Sequence, residues 1–235
     1  MPKSKNHKDF AAVDTDDGRA HGDLPFIELA DPPLPQFLEE KQADNESFLE
    51  HADEWFQQKE VYFRADISGT SLSGVTLIGA DLSHCNLNHA VLQGANLTAC
   101  MLVQANLHKA QLTSALLQRA DLSYSDAVGT QFQNADLQEC QLDHAQLQSA
   151  VFTTATLVRA NLSSTDCRQA NFERADLSEA DLSCADLRGA SLQDCRLSGA
   201  NLSGAKLQAT RIYKSQYQDK VLWDDNTIWD EPLTI

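Results

Sequence analysis

Ala80-Asp81-Leu82-Ser83-His84 and, far along the chain, Ala185-Asp186-Leu187-Arg188-Gly189 are copies of one five-residue unit held in a single register. From Ile67 to Leu207 the five-step positions number 29, and 23 of them are Leu; the exceptions are Ile67, Ala127, Phe132, Phe152, Cys167 and Phe172. Two residues before each lies a small residue, Ala in 20 of the 29. The fold has to satisfy this register before anything else.

Neither common secondary structure does so. At about 100° per residue, positions five apart advance by about 140° around an α-helix, so the leucines spiral instead of lining one face. On a straight strand the side-chain period is two, and because five is odd, successive leucines point to opposite faces. The small residue and the Leu are only two apart, however, and share one side of a short extended segment. Each pentad is therefore a brief extended stretch followed by a corner. Corners that always turn the same way wind the chain into a solenoid, with Leu and Ala inside and the other three positions outside.

The exceptions set the number of pentads per coil. Phe132, Phe152 and Phe172 are twenty apart, as stacked residues are in a coil of four pentads. The undersized Ala127 and Cys167 each precede a Phe by five, which roughly conserves core volume per layer while the rings form a column on one interior wall. The expectation is about seven coils and, at roughly 4.8 Å between strands, a solenoid about 35 Å long.

The Ala-(Asp/Asn)-Leu-X-X array over residues 65–212 resembles the pentapeptide-repeat proteins. That resemblance implies an all-β solenoid, a right-handed quadrilateral parallel β-helix; the handedness comes from the resemblance alone. It says little about function, because the repeat is architecture. Similar proteins include gyrase binders that imitate the shape and charge of B-DNA, cyanobacterial proteins and bacterial effectors.

The flanks read differently. Residues 1–35 have the turn-forming, charged composition of a mobile acidic leader. Residues 36–60 have a helical pattern, with Phe48, Leu49, Ala52, Trp55 and Phe56 on one side and Asn45 as a cap, and are expected to form an amphipathic helix covering the first coil of the 61–212 solenoid. After Leu207 the five-step phase persists weakly through Ile212, Tyr217 and Leu222, and residues 213–235 read as a C-terminal cap whose acidic residues favour an end plug, and so a monomer, over a dimer contact. No apolar run approaches the length of a membrane span and the start is not a secretory signal, so a cytoplasmic location is expected, with leaderless export as the alternative.

The cysteines follow the register. Cys85, Cys100, Cys140 and Cys195 hold the inward small position and Cys167 a central one, so five of the six read as core filler and only Cys184 points outward. The formal net charge is −16, which discourages nucleic-acid contact. Residues 1–64 contribute −8, residues 65–212 only −5 and residues 213–235 −3. Nine solenoid acids fill the slot just before the central residue, where Asp and Asn hydrogen-bond local backbone at corners.

No catalytic, cofactor-binding or metal site is assigned. His84, Tyr124 and His144 share one outer wall, with Asp143 beside His144, while His89 and His108 lie on the next. Scattered exposed His are the ordinary surface of such a fold, and no phosphate loop or metallopeptidase motif accompanies them. Ser125-Asp126-Ala127-Val128-Gly129-Thr130 lacks both Ala and Leu inside, and a kink or bulge is expected there. Val128, Ile78, Met101, Val103, Leu116 and Val158 are apolar outward positions; Met101 and Val103 are neighbours, and the others do not align into one column. The reading is a non-enzymatic scaffold for an unknown protein partner. The alternative is a DNA-mimicking binder of DNA gyrase or topoisomerase, and a third is a secreted effector.

Overall fold

Five backbone N–H groups per pentad need acceptors, and the pentad Ala105–Lys109 shows how each is met. The computed structural model describes residues 65–212 and 221–222. Ala105 donates to the Leu102 carbonyl at 3.0 Å and closes the preceding corner, Asn106 donates back to Cys85 of the coil before at 2.9 Å, and Leu107 and Lys109 donate forward to Asp126 and Val128 at 2.6 and 2.9 Å. The fifth, the N–H of His108, goes to the Asn106 side-chain oxygen at 3.1 Å. A buried backbone group left without a partner costs as much as a lost hydrogen bond, so this closure is what makes the pentad repeatable.

The same pairing runs from Asp66↔Asn86 to Ser191↔Arg211 in parallel steps of twenty residues, so four pentads make one coil. The coil has four walls. The first holds residues 66–69 and their equivalents every twenty residues; the second holds 71–74, the third 76–79 and the fourth 81–84.

Each wall ends in a corner of two residues, the second of which has positive φ. All 29 such positions from Gly69 to Ala209 have φ between 54° and 73°, 21 of them not glycine. A four-residue turn with its third residue in the left-handed region is what a type II geometry requires. An L side chain there costs about 1–2 kcal/mol, and eight of the ten glycines in the chain stand at these positions, where they avoid that cost.

Inside, the central residues from Ile67 to Ile212 and the small residues between them form one continuous buried core. Phe132, Phe152 and Phe172 stack as the sequence predicts, with ring centroids 4.8 Å apart and planes within 5° and 2° of parallel. The ring separation matches the coil repeat, because each ring is carried by the same position of successive coils. Two polar substitutes for the inward Ala find carbonyls: the Thr130 hydroxyl donates to Leu107 at 2.6 Å and the Cys195 thiol to Phe172 at 2.8 Å.

Two expectations fail, for physical reasons. No kink or bulge occurs at Ser125–Thr130, since Ala127 and Gly129 keep their bonds to the next coil at 2.8 and 2.9 Å and Asp126 still pairs with Gln146. The ladder is set by the backbone, and the cost of the weak pentad falls on its side chains, with the buried Ser125 hydroxyl lacking a partner among the described residues. The five-step phase also does not reach Leu222. Asn201 pairs with Leu222, a step of 21, which turns Val221 inward and leaves Leu222 46% exposed. One extra residue lies between Ile212 and Val221, and a single-residue slip exchanges inside for outside. The expected leader, the capping helix and the rest of the C-terminal segment lie outside the described residues.

Thermal unfolding separates core from corner. Phe152→Ala removes the middle ring of the stack and is expected to destabilise by about 3–5 kcal/mol. Gly94→Ala places its Cβ where nothing lies within 4 Å, so its loss, about 1 kcal/mol, comes from the left-handed backbone alone. A neutral Gly94→Ala would contradict the corner geometry.

Candidate functional site

Among the described residues only the outer positions are available for recognition, and their fate depends on what the corners need. All nine Asp and all six Asn of the slot before the central residue accept the N–H two residues later, at 2.9–3.3 Å. These side chains supply the one acceptor that the ladder does not. Most of the solenoid's acidity is therefore structural.

Sorting the charges by wall shows an asymmetry. The first wall balances Asp66, Asp126, Asp166 and Asp186 against Lys109, Arg168, Arg188 and Lys206, and the second balances Glu173 and Asp194 against Arg174 and Arg211. The third is −1, with Asp136, Glu139, Asp176 and Glu179 against Arg119, Arg159 and Arg196. The fourth holds Asp81, Asp121, Asp143 and Asp181 with no Lys or Arg, and so carries −4 of the solenoid's −5.

On the balanced walls the charges meet. Arg119 bonds Glu139 and Arg159 bonds Glu179, each at 2.8 Å between successive coils, along one corner whose charges alternate in sign. The guanidinium bonds hold both glutamates below the usual carboxylate range. Within single pentads, Arg168 bonds Asp166 at 2.7 Å and Arg188 bonds Asp186 at 2.6 Å. The Arg188 side-chain bond holds the Asp186 carboxyl down against its partial burial. Burial pushes the Asp166 carboxyl up, and the bonds from Arg168 and Gln148 more than offset it. A shallow groove of about 590 Å³ follows this corner, lined by Gln148, Arg168, Gln169, Arg188, Gly189, Gln208 and Ala209. Its two guanidiniums are already engaged by their own aspartates.

The His and Tyr residues fall where the four-pentad count places them. Tyr124 and His144 stack on successive coils of the fourth wall, centroids 4.8 Å apart and 12° from parallel, and His89 meets His108 edge-on at 6.4 Å on the first. Among the described residues no group of three or more His, Cys, Asp or Glu is placed to hold a metal ion. The cysteines also follow the register, with five buried and Cys184 exposed. Burial pushes the thiols of Cys100, Cys167 and Cys195 up to about 12 and that of Cys140 up as well. Of the outward apolar residues, Ile78, Met101 and Leu116 are exposed, and Val103, Val128 and Val158 are half-buried.

Sequence reading passed over Ser123. Its hydroxyl lies 2.6 Å from Asp121 Oδ1 and 2.8 Å from Asp143 Oδ1, joining two coils of the acidic wall. The spacing of twenty between Ser123 and Asp143 carried that signal.

A four-sided parallel β-solenoid of pentads is thus the class of protein that these residues define. The sequence matches a family model described as pentapeptide repeats, in 8 copies, over residues 155–194 and 180–215, and one described as a pentapeptide repeat region over residues 65–145. Together the matches cover more than half of the chain, which belongs to the pentapeptide-repeat family, whose members form right-handed quadrilateral β-helices. Among solved structures it is similar to HetL, a pentapeptide repeat protein involved in heterocyst differentiation regulation from the cyanobacterium Nostoc, with 27% identity, 77% of this chain and 97% of that chain covered, and a TM-score of 0.35. It is also similar to a trypsin-treated QnrB1, a plasmid-mediated fluoroquinolone resistance protein, with 19% identity, 68% and 87% coverage and a TM-score of 0.47. A third is Rfr23 from the cyanobacterium Cyanothece, with 34% identity, 43% and 64% coverage and a TM-score of 0.25. No curated protein matches the sequence.

Two solution measurements test these assignments. Iodoacetamide is expected to label Cys184 alone in the folded chain and all six cysteines after unfolding; rapid labelling of a second thiol in the folded chain would contradict the register. Asp186→Asn keeps the corner acceptor and removes the charge facing Arg188. Because the folded carboxyl is held down, its stabilisation is present above the ordinary carboxylate value near 3.9 and is lost as pH falls through the folded value. The variant is expected to be less stable by about 0.5–1 kcal/mol at pH 7 and to converge with the parent chain in acid, as read by urea unfolding across that range.

Proposed function

We propose that this chain is a non-enzymatic, cytoplasmic and monomeric scaffold of about seven coils, capped by the helix at 36–60, that presents flat polar walls to a protein partner. The observation that carries this reading is the fate of the outer side chains. Slot carboxylates accept corner N–H groups, arginines of the first and third walls are tied to neighbouring acids, and what faces outward is a fixed array of Ser, Gln, Asn and paired charge. Such an array is pre-organised, so binding orders few side chains.

Charge density argues against the DNA-mimicking alternative. B-DNA carries one phosphate charge per about 1.7 Å of axis. The fourth wall spaces four carboxylates over five coil steps, about 24 Å, where DNA carries about 14 charges. Three walls of mixed or balanced sign do not make good the difference.

Photo-cross-linking groups placed one per wall, at Gln146, Gln111, Gln138 and Gln141, test the scaffold reading in native cell extract. A discrete, saturable protein adduct from one wall is expected, and adducts from none would contradict it. Stoichiometric inhibition of DNA gyrase supercoiling, or its protection from a quinolone, would establish the alternative instead.

A further inference from the structure

We infer that Asp121, Ser123, Tyr124, Asp143 and His144 on the fourth wall form a docking point for an arginine side chain carried by a basic, partly apolar segment of the partner. The inference rests on the scaffold reading and names which wall is used and by what chemistry.

Hydrogen-bond supply is the first ground. Ser123 Oγ, buried at 9% exposure, sits within bonding distance of two carboxylate oxygens but has one proton to give. Asn161 Nδ2 reaches Asp143 Oδ1 only at 3.4 Å. Four carboxylates on the first and third walls are supplied by longer side chains: Asp136 receives Gln118 at 2.7 Å, and Asp166, Asp176 and Asp186 receive arginines. Here two carboxylates converge on a single hydroxyl proton, on the one wall that carries no Lys or Arg among the described residues.

The aromatic pair is the second and independent ground. Tyr124, 53% exposed, and His144 make a two-ring stack at the corner of the same wall, each next in sequence to Ser123 or Asp143. A planar cation stacks on such rings, and a guanidinium also presents paired N–H groups to carboxylates, which an ammonium does not. One coil earlier on the same wall, Met101 is 43% exposed beside half-buried Val103, an apolar rest for the arginine stem and a flanking aliphatic residue. The partner's charge follows from complementarity to a wall at −4.

The probe is acetyl-Leu-Arg-Leu-amide, titrated into the full chain at low salt and followed by the ring-proton NMR shifts of Tyr124 and His144. Saturable shifts are expected, about fivefold weaker for the lysine peptide. Asp143→Asn supplies the missing donor from within the chain and is expected to weaken binding at least about fivefold, and Tyr124→Ser about threefold. Asp194→Asn, on the second wall, is expected to change nothing. Absence of saturable shifts overturns the proposal, as does equal weakening by Asp143→Asn and Asp194→Asn, which is the mark of general attraction to an acidic chain. Failure here, together with a cross-linked partner on another wall, leaves the scaffold reading standing and removes only this assignment.

Discussion

The structure depends on one constraint, that every backbone N–H of a five-residue unit must find an acceptor while the chain turns a corner. Four are met by the backbone, three of these by neighbouring coils and one across the corner itself. The fifth is met by an Asp or Asn side chain wherever the slot holds one. Leucine and alanine then fill what the square ladder encloses, and the column of Phe132, Phe152 and Phe172 shows that the ladder, not the side chains, sets the 4.8 Å repeat. The pentad at Ser125 makes the same point from the other direction, for it keeps its pairing while lacking both of the usual inward residues.

Function enters through what the constraint leaves over. The slot acids keep their charge, but their corner bonds fix where it lies and engage one oxygen of each. The paired arginines of the first and third walls offset it there. What remains uncompensated is the fourth wall, where carboxylates, a shared hydroxyl and a ring stack lie together. A solenoid needs only one such departure from evenness to distinguish one wall from the others.

Much of this was legible in the sequence because a fixed period turns residue number into position. The five-step register gave the inside and outside of every residue from Ile67 to Leu207, and the three phenylalanines gave the coil size. The Tyr124–His144 contact follows from the same counting. The corner dihedrals were not legible, because glycine fills only eight of the 29 left-handed positions and the rest look like ordinary surface. Nor was the slip before Leu222, since Ile212, Tyr217 and Leu222 keep the five-step spacing on paper while the backbone inserts one residue. Ser123 escaped notice because serine recurs on these walls, and only its two acidic neighbours set it apart.

The central claim is that four pentads close one coil with the leucines inside. Backbone NOE spectroscopy on the deuterated full chain tests it most directly, since amide protons at the same position of adjacent coils lie about 5 Å apart. The account predicts inter-coil contacts clustered at a sequence separation of 20 from Asp66 to Arg211, together with leucine methyls that a soluble paramagnetic agent does not broaden. Contacts at the separations of three or five pentads, or leucine methyls in contact with solvent, would contradict it.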